Sequence, residues 1–203
     1  MSLSQVPSVN LTHYTNGSKA QQQQFVADLG NAFSTIGFVA LSGHYLEQQL
    51  SENLYAAVKE FFALPEPVKL KYEIEGLAGQ RGYTSFGKET AKGQKVADLK
   101  EFWHFGQYHD LDSIYPQNIE VLEVPEFNLY GELVYKALEQ TALELLRALS
   151  EYLSLPKDYF DSFIIGGNSI LRPIHYPPVN ENEQKAVRAA AHGDINLITL
   201  LMG

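Results

Sequence analysis

His192 and Asp194 place an imidazole and a carboxylate two positions apart in the segment Ala189-Ala190-Ala191-His192-Gly193-Asp194-Ile195-Asn196-Leu197-Ile198-Thr199-Leu200. On an extended backbone, residues i and i+2 share a face, so one short stretch can offer a nitrogen and an oxygen ligand to a single ion. A ferrous site of two histidines and one carboxylate uses such a pair and leaves positions open for oxygen and a co-substrate. The pair also reads as a surface strand end with Asp194 capping a turn. Small residues before it and a β-rich apolar run after it favour the ligand reading. A metallohydrolase would use the same residue types but needs more clustered His and Asp than this chain offers.

Composition narrows the chemistry. The chain has no cysteine, which removes disulfides, zinc ribbons, iron–sulfur clusters and thiol nucleophiles and leaves His, Asp and Glu as metal ligands. With 15 basic and 24 acidic residues the formal charge is −9, which argues against nucleic acid or an anionic membrane as the main partner. A small acidic substrate stays open, because the field in a pocket can oppose the global sign. No apolar run approaches the roughly 20 residues that span a bilayer. Met1-Ser2-Leu3-Ser4-Gln5-Val6-Pro7 has no basic region followed by an apolar one, so a cytoplasmic protein is expected.

The elements that must position these residues follow from periodicity. Val6 to Leu11 alternates as a short strand does. Phe25, Leu29, Ala32, Phe33 and Ile36 keep helical spacing over Gln21 to Ile36, with Gln21 to Gln24 as a polar first turn and Gly37 as the stop. Phe38-Val39-Ala40-Leu41 reads as a buried strand, and Leu46 to Leu64 as a second amphipathic helix ended by Pro65 and Pro67. Glu75 to Lys100 is rich in glycine and lysine and is expected to be a long mobile segment of the kind that covers a site. Glu101 to Phe105 reads as a strand. Asn128 to Leu153 reads as a long scaffold helix with Leu129, Leu133, Ala137, Thr141, Leu145, Ala148 and Tyr152 on its apolar side. Ser169 to Tyr176 reads as extended, stopped by Pro177-Pro178.

Several ordered motifs together resemble one family. Leu171-Arg172-Pro173-Ile174-His175-Tyr176-Pro177-Pro178, then Ala191-His192-Gly193-Asp194 and Leu197-Ile198-Thr199-Leu200-Leu201, are similar to the isopenicillin N synthase-like branch of the Fe(II)/2-oxoglutarate-dependent oxygenases. The N-terminal half resembles the same family at Val6-Pro7-Ser8-Val9-Asn10-Leu11, Ile36-Gly37-Phe38-Val39, Ser42-Gly43-His44, Phe61-Phe62-Ala63-Leu64-Pro65, Arg81-Gly82-Tyr83 and Lys100-Glu101-Phe102-Trp103. The resemblance runs from about Val6 to Met202.

It implies an α+β fold in which helices flank a double-stranded β-helix, or jelly roll, whose C-terminal part is expected to lie outside this chain. Residues 1–125 would form the family's mixed N-terminal region, 126–165 the scaffold helix and its connection, and 166–203 the start of the barrel. It implies Fe(II) held by His192 and Asp194, with 2-oxoglutarate as co-substrate and O2 as oxidant. The third iron ligand, a distal histidine, and the arginine that clamps 2-oxoglutarate are expected beyond Gly203. Tyr176 would bind the carboxylate of co-substrate or substrate through its phenol. An asparagine that touches 2-oxoglutarate in some members is replaced here by Ile174, which cannot donate.

By the same resemblance Arg81, Tyr83 and His104 would lie beside a small-molecule substrate, with Arg81 forked onto a carboxylate. Arg172 is expected to lie on a sheet face rather than to pair an acid. His13, His44, His109 and His175 are expected to be structural. The implied activity is hydroxylation, desaturation or ring closure of a small organic molecule, driven by oxidative decarboxylation of 2-oxoglutarate. The rival reading is a non-catalytic chain that binds or dimerises through open strand edges at Ile170–Tyr176 and Ile195–Leu201.

Overall fold

The computed structural model describes residues 5–77, 79–89, 98–108, 114–178, 188 and 196–202. Contacts divide the chain into two compact units, Met1–Gln48 with Lys136–Gly167, and Gln49–Tyr135 with Asn168–Gly203. One long helix contributes to both. Among the described residues no helix is long and apolar enough to cross a membrane.

In the first unit, β1 (Ser8–Asn10) runs parallel to β2 (Ala40–Ser42), with Val9 opposite Leu41. Between them lie α1 (Leu11–Thr15) and α2 (Lys19–Thr35). Asn10 starts α1 by accepting the Thr12 N–H through its side chain. Ser18 and Gln21 form a reciprocal capping box, so α2 begins earlier than the glutamine run suggests. Phe25, Leu29 and Ala32 point inward as their spacing predicts. Phe38 does not: it is exposed and precedes β2, which starts at Ala40, so the strand expected over Phe38–Leu41 is shifted and is not buried as a whole. The Tyr14 hydroxyl donates to Glu151 Oε1 at 2.6 Å, and Arg147 forks onto Asp161 at 2.7 and 3.2 Å, tying the long helix to a short one at Asp161–Ile164.

The second unit holds α3 (Gln48–Ala63, from Gln49 on), α4 (Glu66–Lys69) and a single 3-10 turn, Leu70–Tyr72. Pro65 and Pro67 end α3 and also begin α4, because proline's fixed φ and missing N–H suit a first helical turn. An antiparallel sheet follows in the order β3 (Gly82–Thr84), β4 (Glu101–His104), β5 (Ile174–His175). β3 lies within the glycine-rich stretch expected to be mobile; its pairing to β4 supplies the ladder that composition could not reveal. Asn196–Met202 carry no strand, contrary to the apolar run there, since no ladder partner lies beside them among the described residues.

The long helix α5 spans Pro125–Tyr152, and α6 is the short helix Asp161–Ile164. The inward stripe of α5 in the second unit is Phe127, Val134 and Tyr135, whereas Leu129 and Leu133 are 53% and 42% exposed. The stripe is therefore rotated at its start from the one that spacing predicts. Thr141, Leu145 and Ala148 are buried as expected. The core of the second unit is aromatic: Phe61 stacks on Phe127 at 4.7 Å and meets Trp103 edge-on at 5.1 Å.

Candidate functional site

Strand alternation sorts the three-stranded sheet into two faces with different chemistry. In register, Tyr83 lies opposite Trp103 and Glu101 opposite His175, so Tyr83, Glu101, Trp103 and His175 share one face. That face meets α3 and α5: Trp103, Tyr83 and Phe105 belong to one buried cluster with Ala57, Phe61, Phe62 and Phe127. Phe102, His104, Arg172 and Ile174 occupy the other face, and Tyr176 continues that alternation past the end of β5.

The helix-side face carries a buried polar knot. Glu101 Oε2 accepts from Lys69 Nζ at 2.7 Å and from the Tyr83 hydroxyl, and Oε1 meets His175 Nδ1 at 2.7 Å. Lys69 also donates to the Phe62 carbonyl at 3.2 Å. Burial pushes the Glu101 carboxyl up, but Lys69, Tyr83 and His175 outweigh it and hold the group below the usual carboxylate range. Burial and the neighbouring carboxylate push the Tyr83 phenol well above its ordinary value. The structure thus places Tyr83 inside the core with its single donor engaged, and His175, expected to be structural, as a partner of Glu101.

Arg81 is 1% exposed. It donates through Nη1 to the Gln80 carbonyl at 2.6 Å and through Nη2 to Gln107 Oε1 at 2.7 Å and Asn168 Oδ1 at 3.0 Å. All three partners are neutral, and Nε finds no acceptor among the described residues. Gly106 packs flat against the guanidinium: a Cβ there would come within 1.9 Å of Arg81 Cζ. Arg81 therefore joins the start of β3, the end of β4 and the approach to β5, held by amide oxygens rather than by a carboxylate.

The opposite face holds the group least visible from sequence. His104 Nδ1 meets the Gly79 carbonyl, and its Nε2 accepts the Nε–H of Arg172. These partners fix the neutral tautomer with its proton on Nδ1. Burial, with the Arg172 charge second, lowers the His104 pKa to about 4. The Arg172 guanidinium lies 4.5 Å from the centre of the Phe102 ring and 3.5 Å from Glu89 Oε1. Arg172 does pair an acid, contrary to the sequence expectation, because β4–β5 pairing brings it beside the end of the glycine-rich segment. Glu89 is held in turn by Lys100 Nζ at 2.6 Å, and Lys100 by Asp98 at 2.9 Å.

His192 and Asp194 lie outside the described residues. Among the described residues no three His, Asp or Glu side chains converge to hold a metal ion. The imidazole and carboxylate named from sequence remain a donor set suited to ferrous ion. Tyr176 is partly exposed, close behind β5. Glu101, Lys69, Arg172 and Glu89 are the polar groups that sequence reasoning did not assemble. The Lys100-Glu101 and Leu171-Arg172 motifs held the signal, but not the pairing.

Residues 6–125 match the family described as non-haem dioxygenase in morphine synthesis, N-terminal. The chain belongs to that family, within the isopenicillin N synthase-like Fe(II)/2-oxoglutarate oxygenases. It is 32% identical over 97% of its length to a proline hydroxylase of Petromyces alliaceus, covering 64% of that protein. A solved structure from Caulobacter crescentus, described as a 2OG-Fe(II) oxygenase family protein, is 36% identical with a TM-score of 0.78, over 94% of this chain and 61% of that one. A full-length Neurospora crassa protein, solved in complex with alpha-KG, is 25% identical with a TM-score of 0.78, over 93% of this chain and 61% of that one. The chain spans about three fifths of the length of these relatives.

Proposed function

We propose that the protein is an Fe(II)- and 2-oxoglutarate-dependent oxygenase of the cytoplasm that hydroxylates, or oxidises in a related way, a small organic molecule. The observation that carries this reading is the sheet with two unlike faces. One face is sealed by α3 and α5 around Trp103, and the other presents the His104–Arg172 pair, with Tyr176 just past β5 and ahead of His192 and Asp194 in the sequence. We read β5 as the start of a double-stranded β-helix, with β3 and β4 of the N-terminal region paired to it and that second face turned to its interior.

His192 and Asp194 would hold the iron, and Tyr176 would donate one hydrogen bond to a carboxylate of 2-oxoglutarate or substrate. The metal with its co-substrate and oxygen supplies an oxidant able to attack an unactivated C–H bond. The chain supplies ligands, orientation and a wall that excludes water on the helix side. Arg81 and Tyr83 then serve as positioning residues, since their donors are spent on Gln107, Asn168 and Glu101. The relative named proline hydroxylase supports an amino acid or a similar small molecule as the first substrate class to try.

Anaerobic addition of Fe(II) and then 2-oxoglutarate to the gene product tests this. A weak visible charge-transfer band is expected, together with oxygen-dependent formation of succinate, and His192→Ala and Asp194→Ala should lose both. A parent protein without the band, matched by an unchanged His192→Ala variant, would sink the reading.

A further inference from the structure

Arg172 is arranged as a presenting group rather than as a filled structural ion pair. Three constraints aim its guanidinium: Nε donates to His104, one planar face lies on Phe102, and the chain enters from the strand opposite Phe105. The remaining contact is loose. Glu89 stands 3.5 Å from Nη1, and both side chains are about one third exposed, 37% and 34%. Glu89 is bound more closely by Lys100 at 2.6 Å, so it neutralises Arg172 only in part. Nη2 carries no hydrogen bond among the described residues. The edge formed by Nη1 and Nη2 is thus a planar, partly exposed fork whose geometry suits a bidentate acceptor.

The partners define what fits. His104 cannot lend its charge, because its Nε2 lone pair is occupied by Arg172 and its Nδ1 proton by Gly79. The face therefore offers the Arg172 guanidinium, only partly neutralised by Glu89, beside an aromatic ring and Ile174. An oxygen anion with two parallel acceptors, joined to a compact apolar body, complements this. A carboxylate has that geometry.

We propose that the Nη1/Nη2 edge of Arg172, aimed by His104 and Phe102, binds a carboxylate of the prime substrate, with Glu89 as the internal anion it displaces. This rests on the oxygenase reading for the word substrate, but the binding event does not need turnover. His104 acts as a positioning residue: as a neutral acceptor it fixes the guanidinium without competing for its charge.

Calorimetric titration tests the assignment. Small L-amino acids, 2-hydroxy acids and dicarboxylic acids are each compared with the corresponding primary amide, on anaerobic protein with and without Fe(II) and 2-oxoglutarate. At least one acid should bind more tightly than its amide, and Arg172→Gln should weaken it by about 10- to 100-fold while leaving the amide unchanged. Glu89→Gln should tighten the acid several-fold, a gain that a purely structural role would not give. His104→Gln keeps an acceptor for Nε and should retain the preference, whereas His104→Leu should lose it.

A panel in which no acid outbinds its amide overturns the proposal. So does an Arg172→Gln variant with the parent's preference. Weakened 2-oxoglutarate binding in Arg172→Gln, with the acid preference intact, would assign the guanidinium to the co-substrate and equally overturn it. Failure of the full-length gene product to bind 2-oxoglutarate would count against the oxygenase reading instead, and the acid–amide comparison would still decide on Arg172.

Discussion

Lys69 Nζ and Glu101 Oε2 stand 2.7 Å apart with side chains only 9% and 7% exposed, joining α4 to the central strand of the sheet. Removing one member leaves the other charged and buried. Lys69→Met is therefore expected to cost about 3–5 kcal/mol in urea unfolding. Lys69→Met combined with Glu101→Leu should cost less than the two single changes summed, because the orphaned charge is gone. A loss below about 1 kcal/mol for Lys69→Met would show that Tyr83 and His175 alone satisfy Glu101.

His104 gives the fold a pH dependence of definite sign. It is neutral in the folded state with a pKa of about 4, whereas an unfolded histidine titrates near 6.5. Between those values the unfolded chain binds the extra proton, so stability is fully present above about pH 6.5 and falls as the pH drops towards 4. The loss is on the order of 3 kcal/mol across that window. Glu101, held below the usual carboxylate range, adds a further loss below about pH 4.5 as its carboxyl protonates. Unfolding free energies measured from pH 7 to 4 should show this slope, and His104→Gln should flatten it.

Gly106 is where Arg81 is seated. A methyl group there would sit 1.9 to 2.1 Å from guanidinium atoms that Gln80, Gln107 and Asn168 hold in place. Gly106→Ala should cost about 1–3 kcal/mol, the range for overpacking. Arg81→Ala in the Gly106→Ala background should show a smaller additional effect than in the parent, since both changes vacate the same clamp. Additive effects in thermal unfolding would contradict that coupling.

Tyr176 carries a different kind of prediction. Its ring is partly exposed, so Tyr176→Phe should leave the unfolding free energy within about 0.5 kcal/mol of the parent. If the phenol binds a carboxylate as proposed, losing its one donor should raise the KM of that ligand by about 3- to 10-fold. Comparing KM for 2-oxoglutarate and for the prime substrate identifies which of the two that is.

Much of the architecture is legible from local signals. The α3 stripe and most of the α2 stripe follow from spacing, with Phe25, Leu29, Phe61 and Phe62 where periodicity puts them, whereas Ile36 caps α2 and is exposed. The start of the α5 stripe escapes this logic because Leu129 and Leu133 outrank Gly131 and Val134 in hydrophobicity; which side is inward is set by Phe105, whose ring a Cβ on Gly131 would strike. β3 is hidden because three residues, the first of them a glycine, carry too little pattern to signal a strand. The N-terminal motif positions are legible as well, and the family match over residues 6–125 spans them.

The sequence by itself named the candidate ligand types, showed that this chain carries no thiol and set out the order of the elements, since residue identity and short-range periodicity need no partner. Only the tertiary structure decided the partners of the polar groups. Arg81 met two amides rather than an anion, Tyr83 turned inward to Glu101, and Arg172 was aimed by His104. Those pairings join residues 18 to 87 positions apart along the chain. Strand register and the loops leading into and out of the strands bring them together, and register is a cooperative property of the packed sheet.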